Sequence, residues 1–465
     1  QALRTMAASL ARLTSPADVH LYGLDCGNGA LLPLADLPHC GAVVQRTQSD
    51  RATRLLSRLM AELARRQEIL STGGFADLTE QRASATHEDR LPHIVLLLDR
   101  WEGFLGSIAE LDGGAPMEQV QTLLREGASA GLHLVITGDR QLVNARMGSL
   151  VEDKIALRLP DRADYALMGL QARKLPDDIP EGRGFRSDSG IELQFALLTD
   201  DLSGQAQAAE LRKIGAEARE RYVDVPRSAR PFRVDVLPTR IGFDEAWALR
   251  ESDEPGPLWA MVGVGGDELT AVGLDLARTP GAIVAGPARS GRSTALLAVV
   301  ESLLRGGAEV VVAAPRPSPL RDLAGRPGVR AVLTGPDLTQ GQLEPLMEDG
   351  EPPVVLVVDD GELLKDVEAR DYLRSVLRTG ADRGRAIVLG GDSAEVGSGF
   401  SGWQVEMKGR QGVLIAPSGI TDGELVGVRV PRSSLGAQSQ PGRVIANLGD
   451  GELRTIQVPL PPAGP

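Results

Sequence analysis

Ala282-Ile-Val-Ala285 leads into Gly286-Pro-Ala-Arg289-Ser290-Gly291-Arg292-Ser293-Thr294, and Ala295-Leu-Leu-Ala-Val-Val-Glu-Ser-Leu-Leu304 follows without a break. The stretch reads as a buried strand, a glycine loop and a helix, with Gly286 and Gly291 in the register of a Walker A phosphate-binding loop. Glycines let main-chain N–H groups curl around phosphate oxygens, the helix start adds its dipole, and Ser293 or Thr294 can reach a magnesium ion. Gly286, Arg289, Ser290, Gly291, Arg292, Ser293 and Thr294 are therefore the expected nucleotide-binding residues. One position departs from the motif. Arg292 stands where lysine is the rule, and a wide planar guanidinium does not replace a slim ammonium like for like.

Downstream, Val354-Val-Leu-Val-Val-Asp359-Asp360 has the form of a Walker B strand. Asp359, with Ser293, is expected in the magnesium shell. Asp360 occupies the place of the water-polarising glutamate, one methylene short, which makes it a weak catalytic candidate.

The pattern occurs twice. Pro92-His-Ile-Val-Leu-Leu-Leu-Asp99 matches Pro353-Val-Val-Leu-Val-Val-Asp359. Leu123-Leu-Arg-Glu-Gly-Ala-Ser-Ala-Gly131 and Leu134-Val-Ile-Thr-Gly-Asp139 are echoed by Val376-Leu-Arg-Thr-Gly-Ala-Asp-Arg-Gly384 and Ile387-Val-Leu-Gly-Gly-Asp392. Two related modules explain a repeat that keeps its order. In the first, Asp99 is followed by Arg100, a cation that cannot act as a general base. Asp139 and Asp392 end the fourth strands and are candidate sensor residues, although a strand-end aspartate is more often a turn residue. Arg125, Arg140 and Arg383 are candidate arginine fingers against the default of surface arginines. Gln1 starts where the helix after a phosphate loop should start, so the first module's loop is expected before this chain.

Apolar β-branched runs such as Val310–Ala314 and Val354–Val358 read as strands buried on both faces. Arg51–Leu70 puts Leu55, Leu59 and Leu63 on one helical stripe. Strands alternating with helices predict an α/β fold of two modules with mostly parallel, helix-covered sheets. The boundaries are 1–222, with Glu210–Tyr222 as last helix, a proline-marked linker 223–238, a second module 239–459, and a Pro-rich tail 460–465.

Composition narrows the function. At 465 residues the chain allows two to four domains, and 42% hydrophobic with 24% charged residues is an ordinary globular balance. The core must be aliphatic, since aromatics are 3%. Cys26 and Cys40 build no disulfide framework, and with His20 and His39 they match no zinc spacing. The apolar runs are too short to cross a bilayer. A net charge of −13 disfavours a nucleic-acid track over the whole surface. Only five of the 50 basic residues are lysines, a bias that makes arginine at position 292 understandable.

These motifs resemble the FtsK/SpoIIIE family of RecA-like P-loop ATPases. The lead-in Gly263-Val-Gly-Gly-Asp-Glu-Leu-Thr-Ala-Val-Gly-Leu-Asp275 is similar to that family's strand pair before the loop. Arg51–Leu70 with Asp99-Arg-Trp-Glu-Gly-Phe104 resembles the later, degenerate modules of the EccC/EssC tandem ATPases of type VII secretion. The resemblance implies ATP and Mg as cofactors, with hydrolysis absent or very slow given Arg292, Asp360 and Arg100. It implies a secreted substrate protein or its signal segment as partner, and an upstream ATPase module of the same chain. A homo-oligomer, hexameric in the family, and a cytoplasmic place at the membrane through an N-terminal part are further implications. The alternative is an ATP-dependent DNA translocase, which calls for an intact lysine and glutamate and a basic DNA-reading domain.

Overall fold

The computed structural model describes residues 1–462 except 87, 144, 252–255, 349–350, 397–401, 431–433 and 436–439. Residues 463–465 of the expected tail thus lie outside the described residues. The chain divides into two compact units, Gln1–Asp235 and Val236–Pro465.

In the first unit, α1 (Ala2–Leu13), β1 (Val19–Asp25) and β2 (Cys40–Gln45) precede α2 (Ser49–Gly73), α3 (Leu78–Ser84) and β3 (His93–Asp99). α4 (Trp101–Ser107), α5 (Ala115–Glu126) and β4 (Leu132–Ile136) follow. The four strands form a parallel sheet in the order β2-β1-β3-β4. Its side chains alternate between two apolar layers, as the pleat requires. Leu24, Leu96 and Leu98 pack against Leu55, Leu59 and Leu63 of α2 on one face. Leu21, Val43 and Leu97 pack against Leu3, Ala7 and Ala11 of α1 on the other. Arg66 extends the α2 stripe into the core. Its guanidinium is buried, paired to Glu62 at 2.7 Å and donating to the carbonyls of Pro92 at 2.7 Å and Ala130 at 3.0 Å.

After α6 (Ala145–Gly148), β5 (Ile155–Ala156), β6 (Arg183–Arg186) and β7 (Glu192–Gln194) make a small antiparallel sheet. α7 (Gly204–Arg221) starts earlier than the sequence reading, because Ser203 caps it by accepting from the Ala206 N–H at 3.2 Å. The prolines of the segment read as linker do not detach it before Asp235. Phe232 stacks on Tyr22 with ring centroids 4.5 Å apart, Val234 is buried in the first core, and Arg51 donates to the Val234 carbonyl at 2.6 Å.

The second unit opens with α8 (Phe243–Ala248), β8 (Trp259–Gly265), β9 (Thr270–Asp275) and β10 (Gly281–Ala285). Then come α9 (Arg292–Arg305), β11 (Glu309–Ala313), β12 (Val329–Leu333), α10 (Gln340–Glu348), β13 (Val354–Val358), α11 (Arg370–Thr379) and β14 (Arg385–Gly391). α12 (Ser393–Val396), β15 (Gly412–Leu414), β16 (Arg443–Asn447) and β17 (Arg454–Gln457) complete it. Ten strands form one sheet, β12-β11-β13-β14-β10-β15-β16-β17-β8-β9. The stretch from β12 to β15 is parallel and the remainder antiparallel. Val310, Val312, Val355 and Val357 face Leu296, Val299 and Leu303 of α9. Val311, Leu356 and Val358 face Leu373, Val376 and Leu377 of α11.

The order β12-β11-β13-β14 repeats β2-β1-β3-β4, so the sheet of each unit has the same strand order in this part as well as the same sequence pattern. β10, which carries the glycine loop, lies beside β14. Its C-terminal end meets those of β13 and β14, the edge where ligands gather in such sheets.

Candidate nucleotide site

The loop between β10 and α9 has its shape from two residues in the left-handed region, Arg289 at φ 63° and Gly291 at φ 101°. Alternating hands turn successive N–H groups to one side and make an anion-binding concavity. α9 begins at Arg292, not Ala295, so Ser293 and Thr294 lie in its first turn. The bond nearest the helix start runs from the Ala295 N–H to the Gly291 carbonyl at 3.0 Å. The amides of Arg292, Ser293 and Thr294 lack intrahelical acceptors and face the loop. The Ser290 hydroxyl is buried in the loop without a hydrogen-bond partner among the described residues.

Asp359 follows β13 and is 1% exposed. One of its oxygens, Oδ2, accepts from Ser293 Oγ at 2.7 Å and from Ser318 Oγ at 2.6 Å, and Oδ1 accepts from the Asp360 N–H at 3.1 Å. A serine that donates its proton to a carboxylate keeps its lone pairs for a cation, so Ser293 and Asp359 fit a magnesium ion.

Arg292 behaves differently from a phosphate-reaching lysine. Its Nη1 donates to the Gly286 carbonyl at 3.0 Å and its Nη2 to Asp360 Oδ1 at 2.8 Å. The guanidinium thus folds back on the loop and holds the Asp360 carboxylate. Asp360 is at φ 51°, a strained setting for a non-glycine residue. Burial raises its carboxyl above the ordinary value, the Asp359 carboxylate adds to this, and Arg292 and Arg316 pull it back.

In the first unit Asp99 ends β3, and Arg100 after it has φ 64°, the same hand as Asp360. Thr137 Oγ1 donates to Asp99 at 2.8 Å and itself accepts from the Arg100 N–H at 3.1 Å. The loop after β1 closes over this carboxylate: a Cβ on Gly27 would stand 2.9 Å from Asp99 Oδ2. That loop is pinned by Asp25, whose carboxylate accepts from the N–H groups of Gly27, Gly29 and Leu31 at 3.1, 3.2 and 2.7 Å.

Asp139 and Asp392 each close a local turn, accepting from the Gln141 N–H at 2.8 Å and the Ala394 N–H at 3.0 Å. Arg125 donates to Thr122 at 3.1 Å, and Arg383 pairs with Glu348 at 3.2 Å. His20 and His39 are separately bonded to the carbonyls of Ala229 and Thr14. Sequence reading missed Ser318 and Glu362. Glu362 is a nearly buried carboxylate that accepts from the Asp392 N–H at 3.2 Å and lies 3.9 Å from Arg316. Both sit in loops after β11 and β13, and only the parallel order of those strands signals that they meet at one edge.

Residues 1–181 match the model of the FtsK/SpoIIIE family. The ESX-1 secretion system protein EccCb1 of Mycobacterium tuberculosis is 27% identical over 316 residues, covering 65% of this chain and 51% of EccCb1. The ESX secretion system protein YukB of Bacillus subtilis is 24% identical over 487 residues, covering 99% of this chain and 31% of YukB. The chain therefore spans about half the length of EccCb1 and a third of YukB. Among solved structures, EssC (ATPases 2 and 3) from Geobacillus thermodenitrificans superposes with a TM-score of 0.72 at 19% identity, covering 99% of this chain and 88% of that one. Thermomonospora curvata EccC (ATPases 2 and 3), in complex with a signal sequence peptide, gives 0.59 at 23% identity, covering 98% and 85%. The fold is that of two tandem RecA-like α/β modules, the second carrying a P-loop, and the chain resembles the FtsK/SpoIIIE ATPases over residues 1–181 and the EccC and EssC proteins of type VII secretion.

Proposed function

We propose that the chain is a pair of regulatory or substrate-recognising ATPase modules of a type VII-like protein secretion motor. In this reading the second unit binds Mg-ATP weakly and turns it over little or not at all. The observation that carries it is the Arg292–Asp360 pair, which ties up the cation that should meet phosphate and the carboxylate that should meet water. Gly286, Arg289, Ser290, Gly291, Ser293 and Thr294 would cradle the nucleotide, and Asp359 with Ser293 the magnesium. Bound magnesium would screen phosphate charge. Asp99 and Arg100 mark a first unit that lacks a base, and Asp139 and Asp392 keep only a turn-forming role.

The partners follow from the likeness to the EccC and EssC proteins. They are a secreted protein or its signal segment, an upstream ATPase module of the same chain, and copies of the chain in a ring. The place of work is the cytoplasmic face of the membrane. No helix among the described residues is long and apolar enough to cross it. Equilibrium titration with Mg-ATP tests the core of the proposal. Saturable binding in the wild type, lost in Ser293→Ala, supports it; no binding at millimolar Mg-ATP refutes it. Salt-dependent DNA binding instead would favour the translocase reading.

A further inference from the structure

In the first unit, β3 and β4 bring two histidines together at the end of the sheet opposite Asp99. His93 opens β3, and His133 on β4 is in register with Val95, two residues further along. Residues in register share a face of the sheet, as do residues two apart, so both rings lie on one side. His93 Nδ1 and His133 Nε2 are 3.2 Å apart, with ring centroids separated by 5.5 Å and planes inclined by 29°. His93 is half-buried, and its main-chain N–H donates to the Asp18 carbonyl at 2.8 Å, which fixes the strand end that carries it. His133 is exposed, so the pair opens to solvent. Asp99 lies six residues along β3, roughly 20 Å away at the rise of a strand, so the pair has no part in the chemistry of that carboxylate.

We propose that His93 and His133 form a site for a divalent transition-metal ion of the imidazole-binding class, Zn²⁺ or Cu²⁺, which ties β3 to β4. The separation of the nitrogens suits it. Zinc–nitrogen bonds of about 2.0–2.1 Å hold two nitrogens roughly 2.9 Å apart at a right angle and roughly 3.3 Å apart at the tetrahedral angle. A neutral imidazole has one N–H and one lone pair. The facing nitrogens therefore share one proton, and moving it to the outer nitrogen of its ring turns both lone pairs into the same gap without net proton release. Both rings favour the neutral form that ligation requires. Burial is the main cause that lowers each pKa; His133, Arg82 and Arg66 add to it at His93 while Asp18 opposes, and Arg66 adds to it at His133. The two guanidiniums are themselves engaged, Arg82 with Asp18 at 2.6 Å and Arg66 with Glu62 at 2.7 Å, which moderates their repulsion of a cation. Among the described residues no group of three or more metal-binding side chains gathers, so water completes the shell. Mg²⁺ and Ca²⁺ prefer oxygen donors and do not suit the pair.

Calorimetric titration of the whole chain with ZnCl₂ tests the proposal, in excess Mg²⁺ so that oxygen sites are filled. The wild type should show a saturable site, and Zn²⁺ should raise its thermal unfolding midpoint, since the pair exists only in the folded state. His133→Gln changes an exposed ring, so its metal-free midpoint should match the wild type. Its Zn²⁺ affinity should fall at least tenfold and the metal-induced rise should vanish. His93→Gln should weaken binding equally, and His87→Gln, outside the described residues, should leave it unchanged. Absence of saturable Zn²⁺ binding by the wild type overturns the proposal, as does wild-type affinity in either His133→Gln or His93→Gln. Loading with Cu²⁺ adds a spectroscopic readout. Nitrogen hyperfine structure from two imidazoles that disappears in His133→Gln supports the site, and a paramagnetic resonance spectrum of oxygen ligands alone contradicts it.

Discussion

The Arg292 guanidinium donates to the Asp360 carboxylate at 2.8 Å, with the two side chains 11% and 14% exposed. In the proposed reading these two positions are the ones meant for phosphate and for water, and here the two side chains pair with each other instead. The pair also answers a local need. Asp360 directly follows Asp359 in the chain, and without the guanidinium two adjacent, poorly solvated carboxylates would repel.

Removing one partner should therefore cost more than removing both. Arg292→Ala is expected to destabilise the second unit by about 1–3 kcal/mol, the range for a buried polar group left without its partner. Arg292→Ala with Asp360→Asn should recover most of that loss, a double-mutant cycle readable in urea unfolding midpoints. Additive losses would show that the two side chains do not act together.

Restoring the motif should restore turnover. Arg292→Lys frees the Gly286 carbonyl and places an ammonium that can extend along the loop, and Asp360→Glu supplies the missing methylene. The double variant is expected to release phosphate from Mg-ATP at least tenfold faster than the wild type, toward the factor of about 10²–10⁴ that general-base assistance provides. An unchanged rate would place the block elsewhere in the site.

The first unit has its own acid sensitivity. His20 is buried and its ring sits 3.2 Å from the Ala229 carbonyl. Burial is the main cause that lowers its pKa from 6.5 to about 4; Arg66 lowers it too, while the Ala229 carbonyl and Glu62 oppose. The folded state resists protonation that the unfolded state accepts. This contribution is therefore whole above pH 6.5 and is lost as pH falls through about 4. The loss amounts to at most about 3 kcal/mol at the low end. Unfolding midpoints against pH should fall less steeply in His20→Gln than in wild type across that window; parallel curves would refute the assignment.

Much of this was legible in the sequence for simple reasons. Runs such as Val354–Val358 are apolar at every position and β-branched at all but Leu356, and they are strands buried on both faces. The glycine loop declared itself by its strand and helix flanks. Arg66 was legible in hindsight, since it keeps the three-to-four-residue spacing from Leu63 to Leu70 and shares their burial. Ser318 was not, because its contact with Asp359 spans loops that only the sheet order brings together. Nor was the direction of Arg292, which depends on a carboxylate 68 residues away. The segment 223–235 reads as linker from its prolines, yet aromatic stacking of Phe232 on Tyr22 overrides that composition.

The most direct measurement of the central claim is phosphate release by the wild-type chain at saturating Mg-ATP, with Asp359→Ala as the control for contaminating activity. Nucleotide should be bound, and release should stay far below the roughly 1–10³ s⁻¹ of ordinary enzymes and be indistinguishable from the control. Release of about 1–10 s⁻¹ that disappears in Asp359→Ala would contradict it, because a site closed by Arg292 and Asp360 would then be turning over.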